Sequence, residues 1–149
     1  MIHVRELIER KTGEHTGDVQ TIERSASVLD AARLMNRHKI GALVVTDHGA
    51  VKGILTERDV MTRVVAEAKA PAHTTVESVM TSPVLTCEPA SKLGEVRKVM
   101  RERRIRHLPV ADAGRLVGMI SIGDLNMADQ ETLVETIKTM EVYISGGQL

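Results

Sequence analysis

Residues 53–59, GILTERD, return as residues 118–124, GMISIGD, at an offset of 65 positions. Both stretches read glycine, two apolar residues, a hydroxyl residue, two variable positions and aspartate. The same offset, applied without a gap to residues 19–60 and 84–125, pairs many further identical residues. Because chance rarely gives such a register over about forty residues, the chain contains two copies of one supersecondary unit.

Each copy predicts the order strand, helix, strand, strand, helix. The opening strand is DVQTIE (18–23) in the first copy and PVLTCE (83–88) in the second. After the first helix come two apolar strands joined by a turn at 48–49 or 113–114, and a helix closes the unit. Ser27 is expected to cap the first helix.

One such unit is too small to bury its sheet well, so the two are expected to pack together. The predicted fold class is α/β (α+β), with two β-α-β-β-α repeats packed sheet to sheet around a shared core. This arrangement has approximate two-fold symmetry and leaves two equivalent clefts between the repeats. The predicted division is an N-terminal amphipathic helix (1–16), repeat 1 (17–70), a linker with repeat 2 (71–128) and a C-terminal helix (129–149) that stops at Gly146-Gly147.

Composition excludes several kinds of function. The 149 residues carry no formal net charge, and Tyr143 is the only aromatic residue, which argues against nucleic-acid binding. Cys87 stands alone, and the six histidines show no metal-ligand spacing, so neither a disulfide nor a metal site is expected. The start does not read as a signal peptide, and no apolar run approaches the ~18 residues of a membrane span. We therefore expect a cytoplasmic protein.

The stretches KIGALVVTDHGAVKGILTERDV (39–60) and RIRHLPVADAGRLVGMISIGDL (104–125) carry a family resemblance. The chain resembles a tandem pair of cystathionine-β-synthase (CBS) domains, also called a Bateman module. The resemblance implies the same β-α-β-β-α fold and a regulatory role without catalysis. It also implies that AMP, ATP or NAD(H) binds in the clefts between the repeats, and that the chain reports energy or redox state to an unidentified partner protein.

The chemistry of the repeated stretch suits a ribonucleotide. Asp59 and Asp124 each supply a carboxylate that can accept both ribose hydroxyls, and a hydroxyl residue stands three positions earlier. The alternative is that each aspartate only caps a helix. The resemblance assigns to one site Ile54, Thr56, Arg58, Asp59, Val84, Leu85, Arg106 and His107. It assigns to the other site Val19, Gln20, Gly41, Ala42, Met119, Ser121 and Asp124.

The two sites differ in charge. By the family pattern, Arg106 and His107 would meet the phosphates at the Asp59 site, whereas the matched positions at the Asp124 site are Gly41 and Ala42. We therefore expect tighter binding of phosphates at the Asp59 site. Alternatively, the uncharged second site takes a second base and ribose, so that one dinucleotide bridges both parts.

The resemblance also implies a homodimer that pairs through helix faces. The candidate faces are Met61, Val64 and Val65 in repeat 1, and Ile122, Leu125 and Met127 in repeat 2. Two other functions remain open at this point: a structural or dimerisation module with vestigial clefts, and a nucleotide hydrolase. The carboxylates would lie in separate clefts, which makes them poor candidates for a paired acid–base catalyst, so no catalytic residue is assigned.

Overall fold

The computed structural model describes residues 2–13 and 19–146. A π-helical turn at Met61–Val65 continues the third helix, and a 3₁₀ turn at Pro71–His73 precedes the fourth. The elements, in chain order, are α1 (Val4–Gly13), β1 (Thr21–Glu23), α2 (Val28–His38), β2 (Ala42–Asp47), β3 (Ala50–Thr56), α3 (Glu57–Val60), α4 (Val76–Val79), α5 (Leu93–Arg103), β4 (His107–Asp112), β5 (Arg115–Ser121) and α6 (Ile122–Ile144).

The predicted helix 1–16 is observed as α1, and its residues 14–16 lie outside the described part of the chain, as does Gly147 of the predicted C-terminal stop. The cap on α2 is confirmed, since the Ser27 side chain accepts the N–H of Asp30 at 3.0 Å. Two small sheets, each flanked by helices, confirm the predicted fold class.

The two hairpins have the same construction. Strands β2 and β3 pair antiparallel, as do β4 and β5. Their turns have positive φ at both central residues: 49° and 88° at His48 and Gly49, and 48° and 79° at Ala113 and Gly114. Two positive φ angles define the type I′ turn, whose twist matches that of antiparallel strands. The register shift in each hairpin also falls at matched positions, 45/46 and 110/111.

The repeats differ at their opening strands. In repeat 1, β1 pairs parallel with β2. The strand predicted at 83–88 is wrong: there the segment makes one parallel bridge, between Cys87 and Val110. The cause lies in the partner strand. Val44 donates its N–H to Gln20 in repeat 1, but the matched residue in repeat 2 is Pro109, which has no N–H to give.

In place of the predicted shared core, the structure has two hydrophobic clusters, one in each repeat. The helix that precedes each repeat joins the cluster of the other repeat. Val4 and Leu7 of α1 belong to the cluster of repeat 2, and Val76 and Val79 of α4 belong to that of repeat 1. Backbone hydrogen bonds fix both exchanges, for example from Val4 to Ser91 and from Val76 to Ala26. The exchange holds the repeats together.

The glycine that opens each repeated stretch lies under an exchanged segment. A Cβ on Gly53 would lie 2.5 Å from Sδ of Met80, and one on Gly118 would lie 3.0 Å from Cδ1 of Ile8. Met80 directly follows Val79 of α4, just as Ile8 directly follows Leu7 of α1. The contacts at the two glycines are therefore related by the approximate two-fold symmetry. Glycine at these positions allows the close approach.

The proposed dimer faces are only partly exposed. Val64 and Leu125 are fully buried core residues, so their assignment to a face is wrong, and Ile122 packs against the core of repeat 2. Their neighbours are exposed: Met61, Val65 and Met127 show 60%, 67% and 61% of their surface. The π turn after α3 and the first turns of α6 are thus anchored by one face and leave these side chains uncovered.

Candidate functional site

Both repeated stretches end a strand and begin a helix. Thr56 caps α3: its hydroxyl accepts the N–H of Asp59 (3.3 Å), and Asp59 accepts the N–H of Thr56 (3.0 Å). Ser121 and Asp124 make the same reciprocal pair at α6, at 3.2 and 2.7 Å. Each motif therefore satisfies N–H groups that a helix start leaves unpaired. Both aspartates therefore cap a helix, and a binding role depends on what else each carboxylate can reach.

The Asp59 carboxylate is fully engaged within the chain. Its Oδ2 accepts from the backbone and the hydroxyl of Thr56, and its Oδ1 accepts the Thr81 hydroxyl at 3.1 Å. Thr81 is held there by two backbone hydrogen bonds with Ile54, of 3.0 and 2.9 Å. The Asp59 side chain is only 10% exposed. The segment after α4 thus covers this carboxylate and bonds Oδ1, while Thr56 at the end of β3 bonds Oδ2.

The Asp124 carboxylate is less enclosed. Its Oδ2 accepts the N–H of Ser121 and a hydrogen bond from the ammonium of Lys11 at 2.9 Å, while Oδ1 accepts none from the described residues. Lys11 also donates to the carbonyl of Met119 at 2.9 Å. The side chain of Asp124 is 20% exposed and that of Lys11 is 34% exposed. One carboxylate oxygen therefore remains available to a ligand.

A cavity of about 940 Å³ opens beside Asp124. That volume lies within the ~300–1,000 Å³ of typical small-molecule sites. Its walls come from α1, from the start of repeat 1, from the α2–β2 connection and from β5 and α6. The residues assigned from sequence to the Asp124 site all line it: Val19, Gln20, Gly41, Ala42, Met119, Ser121 and Asp124.

Of the residues assigned to the Asp59 site, His107 alone lines this cavity. Val84 and Leu85 lie in the irregular segment before Cys87, and Leu85 is 42% exposed. The backbone of Ile54 is occupied by Thr81, and Arg58 donates to the carbonyl of Arg104 at 3.3 Å.

The carbonyl of Arg106 accepts the N–H of Ile122, and its side chain is exposed. His107, assigned to the Asp59 site, instead lines the Asp124 cavity, because β4 sets it opposite Ser121 in β5. The family pattern thus places His107 at one site, and the strand register brings it to the other.

His107 is a half-buried imidazole between charges of both signs. Burial lowers its pKa below the usual 6.5, against the opposing pull of the Glu57 and Asp124 carboxylates. The ammonium of Lys11 and the guanidinium of Arg106 also lower it. His107 is therefore a neutral hydrogen-bonding group of the cavity wall at neutral pH.

Sequence reasoning missed the cations that line the cavity. Lys11 and Arg10 come from α1, which was assigned only as a flanking helix, and Lys39 lies at the left-handed C-cap of α2. Arg10 is paired with Glu131 of α6. One signal was present: Lys11 falls four residues after Leu7, on the face of α1 that is buried against repeat 2.

The described ranges, 2–13 and 19–146, offer neither a metal site nor a membrane span. They contain no group of three or more histidine, cysteine or acidic residues that could hold a metal ion. They also contain no helix with the length and apolar character needed to cross a membrane. Cys87, whose burial raises its thiol pKa to about 11, belongs to the core of repeat 2.

Comparison with known proteins shows independently which family the chain resembles. The CBS domain family profile matches residues 4–66 and 76–131. The CBS domain-containing protein YhcV of Bacillus subtilis is 34% identical over 110 residues, which cover 74% of this chain and 78% of that protein. The mitochondrial CBS domain-containing protein CBSX3 of Arabidopsis thaliana is 35% identical over 126 residues, but these cover 81% of this chain and only 61% of the plant protein.

A solved structure shows the same arrangement. The CBS-domain containing protein of Agrobacterium tumefaciens is 40% identical, with a TM-score of 0.79, over 86% of this chain and 99% of that one. The similarity therefore extends over most of this chain and nearly all of that protein.

Proposed function

The chain belongs to the CBS domain family, a family of regulatory modules, and we propose that it binds an adenine nucleotide in the Asp124 cavity without catalysing a reaction on it. The observation that carries the proposal is the gathering of one complete set of sequence-assigned residues around a single cavity. A cavity of that size, with few convergent polar groups, suits a ligand such as AMP, ATP or NAD(H).

The chemistry of the cavity supports a ribose at Asp124. A ribose offers two neighbouring hydroxyl donors, and the carboxylate has Oδ1 open to one of them. Met119 and the Val19–Gln20 backbone form the apolar and polar parts of the wall where the base would lie. Lys39 and His38 also line the cavity and add donors that phosphates could receive.

The geometry favours tighter ligand binding at Asp124 than at Asp59, which is the reverse of the order expected from the sequence. The tighter site was expected at Asp59, on account of Arg106 and His107. Asp59, however, is covered by Thr81 and has both oxygens engaged, so a ligand would have to displace part of the chain. We therefore place the principal site at Asp124, and we propose a structural role for Asp59.

Titration calorimetry with AMP, ATP and NAD(H) tests this function. Asp124→Asn should weaken binding by about tenfold or more, since a charge-assisted hydrogen bond is worth ~1.5–3 kcal/mol. Asp112→Asn, an exposed aspartate in the second hairpin, is the matched control and should leave binding unchanged. Absence of binding by the unaltered chain would favour a structural module, and turnover of the bound nucleotide would favour a hydrolase.

We also propose that the module pairs with a second copy of itself through α6. From Asp129 to Gly146 every residue of the helix end is exposed. An apolar stripe runs along it at heptad-like spacing: Leu133, Ile137, Met140 and Ile144, exposed by 61%, 48%, 59% and 83%. Leu125 and Ala128 anchor the helix by a different face, so the stripe cannot fold back onto the core of its own repeat.

The spacing of this stripe suits an antiparallel pair. Two such helices related by a two-fold axis place Leu133 against Ile144 and Ile137 against Met140, with no charged residue in the seam. Light scattering on the purified chain should give the mass of a dimer. Ile137→Lys should give a monomer, and Thr139→Lys, on the other face of the helix, should not. A dimer that survives Ile137→Lys would rule out this surface.

A further inference from the structure

The described walls of the Asp124 cavity carry as much negative as positive charge. Three cations and three carboxylates line them, and their formal charges cancel: Arg10, Lys11, Lys39, Glu9, Asp124 and Glu131. A cleft attracts a highly charged anion when its walls carry mainly positive charge. We propose that the cavity selects adenine nucleotides of low negative charge, and that Glu57 discriminates against longer phosphate chains. This inference rests on the proposed function and narrows its ligand class.

The Glu57 carboxylate lies against the cavity wall at Gly41. The backbone N–H of Glu57, at the start of α3, donates to the carbonyl of Gly41 at 3.0 Å. A Cβ on Gly41 would lie 3.1 to 3.3 Å from the carboxylate atoms of Glu57. Gly41 lines the cavity, whereas Glu57 itself does not. The carboxylate is therefore packed against a wall residue from outside, where its charge can act on a ligand without touching it.

The effect of Glu57 on His107 shows that its charge extends into the cavity. His107 lines the cavity from repeat 2. Burial lowers the pKa of His107, and the Glu57 carboxylate opposes this more strongly than any other charged group, Asp124 included. The Glu57 side chain forms no ion pair with a described residue. A phosphate in the same space would meet a negative charge that the described part of the chain leaves unneutralised.

The matched position in repeat 2 has the opposite character. There Ile122 makes the same backbone hydrogen bond, to the carbonyl of Arg106 at 2.8 Å. The offset of 65 positions thus pairs Glu57 with Ile122, and Gly41 with Arg106. Repeat 2 has a cation where repeat 1 has a glycine, and an apolar residue where repeat 1 has a carboxylate. The negative charge is specific to the repeat whose α2–β2 connection lines the cavity.

The repulsion grows with the number of phosphates. A phosphomonoester such as AMP carries about −1.5 to −2 at neutral pH, and each further phosphate of ATP adds to that charge. A fixed carboxylate therefore disfavours ATP more than AMP. Walls whose cations are balanced by carboxylates offer no excess of positive charge to offset the difference. A like charge that opposes one of two related ligands is a source of specificity.

Calorimetry with AMP and ATP on the full chain, without Mg²⁺, tests the inference. The unaltered protein should bind AMP at least about tenfold more tightly than ATP. Glu57→Gln should reduce that ratio about threefold or more, mainly through tighter binding of ATP, and Glu57→Asp should keep most of it. Glu67→Gln, an exposed glutamate that does not line the cavity, is the matched control and should leave the ratio unchanged.

A second measurement separates charge from size. Mg²⁺ binds the phosphates of ATP and neutralises part of their charge without shortening the nucleotide. Adding Mg²⁺ should therefore recover part of the ATP affinity in the unaltered chain, and less of it in Glu57→Gln. An ATP affinity that stays the same with Mg²⁺ would show exclusion by size and would overturn the role of charge.

The outcomes separate this inference from the function beneath it. If the unaltered chain binds neither nucleotide, the proposed function fails and the inference fails with it. If ATP binds as tightly as AMP or more tightly, only the selectivity is overturned. If the ratio is large but the same in Glu57→Gln, the role of Glu57 is overturned, and its carboxylate serves only the dipole of α3.

Discussion

The two clefts of this molecule contain the same seven-residue motif, but the aspartate of the motif is covered differently in each. At Asp59 the segment after α4 pairs with β3 and places the Thr81 hydroxyl on the carboxylate. At Asp124 the matching segment continues as helix α1, leaves a cavity, and reaches the carboxylate only through the long side chain of Lys11. A repeated motif thus gives the same helix cap twice, with a carboxylate bonded at both oxygens in one repeat and a carboxylate beside a cavity in the other.

The difference shows that a motif fixes local structure more firmly than it fixes binding. The capping box depends on neighbours three residues apart and is present in both repeats. Access to the carboxylate depends on a segment distant in sequence, which differs between the two clefts. The predictions below test whether Asp59 serves structure while Asp124 serves binding.

The largest expected effect is on stability. Asp59→Ala leaves the N–H of Thr56 and the hydroxyl of Thr81 without a partner in a buried site, which should cost about 2–4 kcal/mol. Asp124→Ala loses mainly a helix cap, at about 1 kcal/mol, because the exposed part of Lys11 can be hydrated. Urea denaturation measures both. An equal or larger cost for Asp124→Ala would remove the distinction between the clefts.

The glycines under the exchanged segments give a smaller difference. Gly53→Ala places a Cβ 2.9 Å from the backbone oxygen of Thr81, which cannot move without breaking the bridge to Ile54, so a loss of about 1–3 kcal/mol is expected. The three nearest atoms to the new Cβ in Gly118→Ala all belong to the Ile8 side chain, at 3.0–3.4 Å, and not to backbone, so the cost should be less than about 1 kcal/mol. Thermal melting of the two variants ranks them, and the opposite ranking would contradict the described contacts.

The smallest effect is the dependence of stability on pH through His107. Its pKa is lowered by burial in the folded chain, so the unfolded chain takes up a proton near pH 6.5 while the folded chain does not. The unfolded state then holds more protons, and stability is lost as the pH falls below about 6.5. His107→Ala places there the residue that repeat 1 has, Ala42, and should reduce the loss between pH 7.5 and 5.5. An unchanged pH profile would exclude this role of His107.

Much of the fold could be predicted because it depends on local pattern. The turns at His48-Gly49 and Ala113-Gly114, the cap at Ser27 and the apolar character of the hairpin strands each depend on a few neighbouring residues. The strand at 83–88 was predicted wrongly because its absence depends on Pro109, which lies across the sheet and removes the N–H that Val44 supplies in repeat 1. Pairing between distant segments is not visible in the pattern of either one.

The residues of the candidate site also differ in whether their position depends on local sequence or on packing between distant segments. The residues assigned to the Asp124 site line one cavity because they lie in or beside the repeated strands. Lys11 and Arg10 were missed, since their place in the cavity follows from the exchange of α1 onto repeat 2. Val64 and Leu125 were assigned to a surface because their apolar character does not distinguish a core face from an exposed one.

Photolabelling with an azido-adenine nucleotide, followed by mass spectrometry of the labelled peptides, tests most directly which cleft holds the base. Binding at the Asp124 cavity predicts a label near Met119 or on the Val19–Gln20 segment, and unlabelled AMP in excess should abolish it. A label on Ile54 or on the Val84–Leu85 segment would place the ligand in the Asp59 cleft and contradict the assignment of the open site.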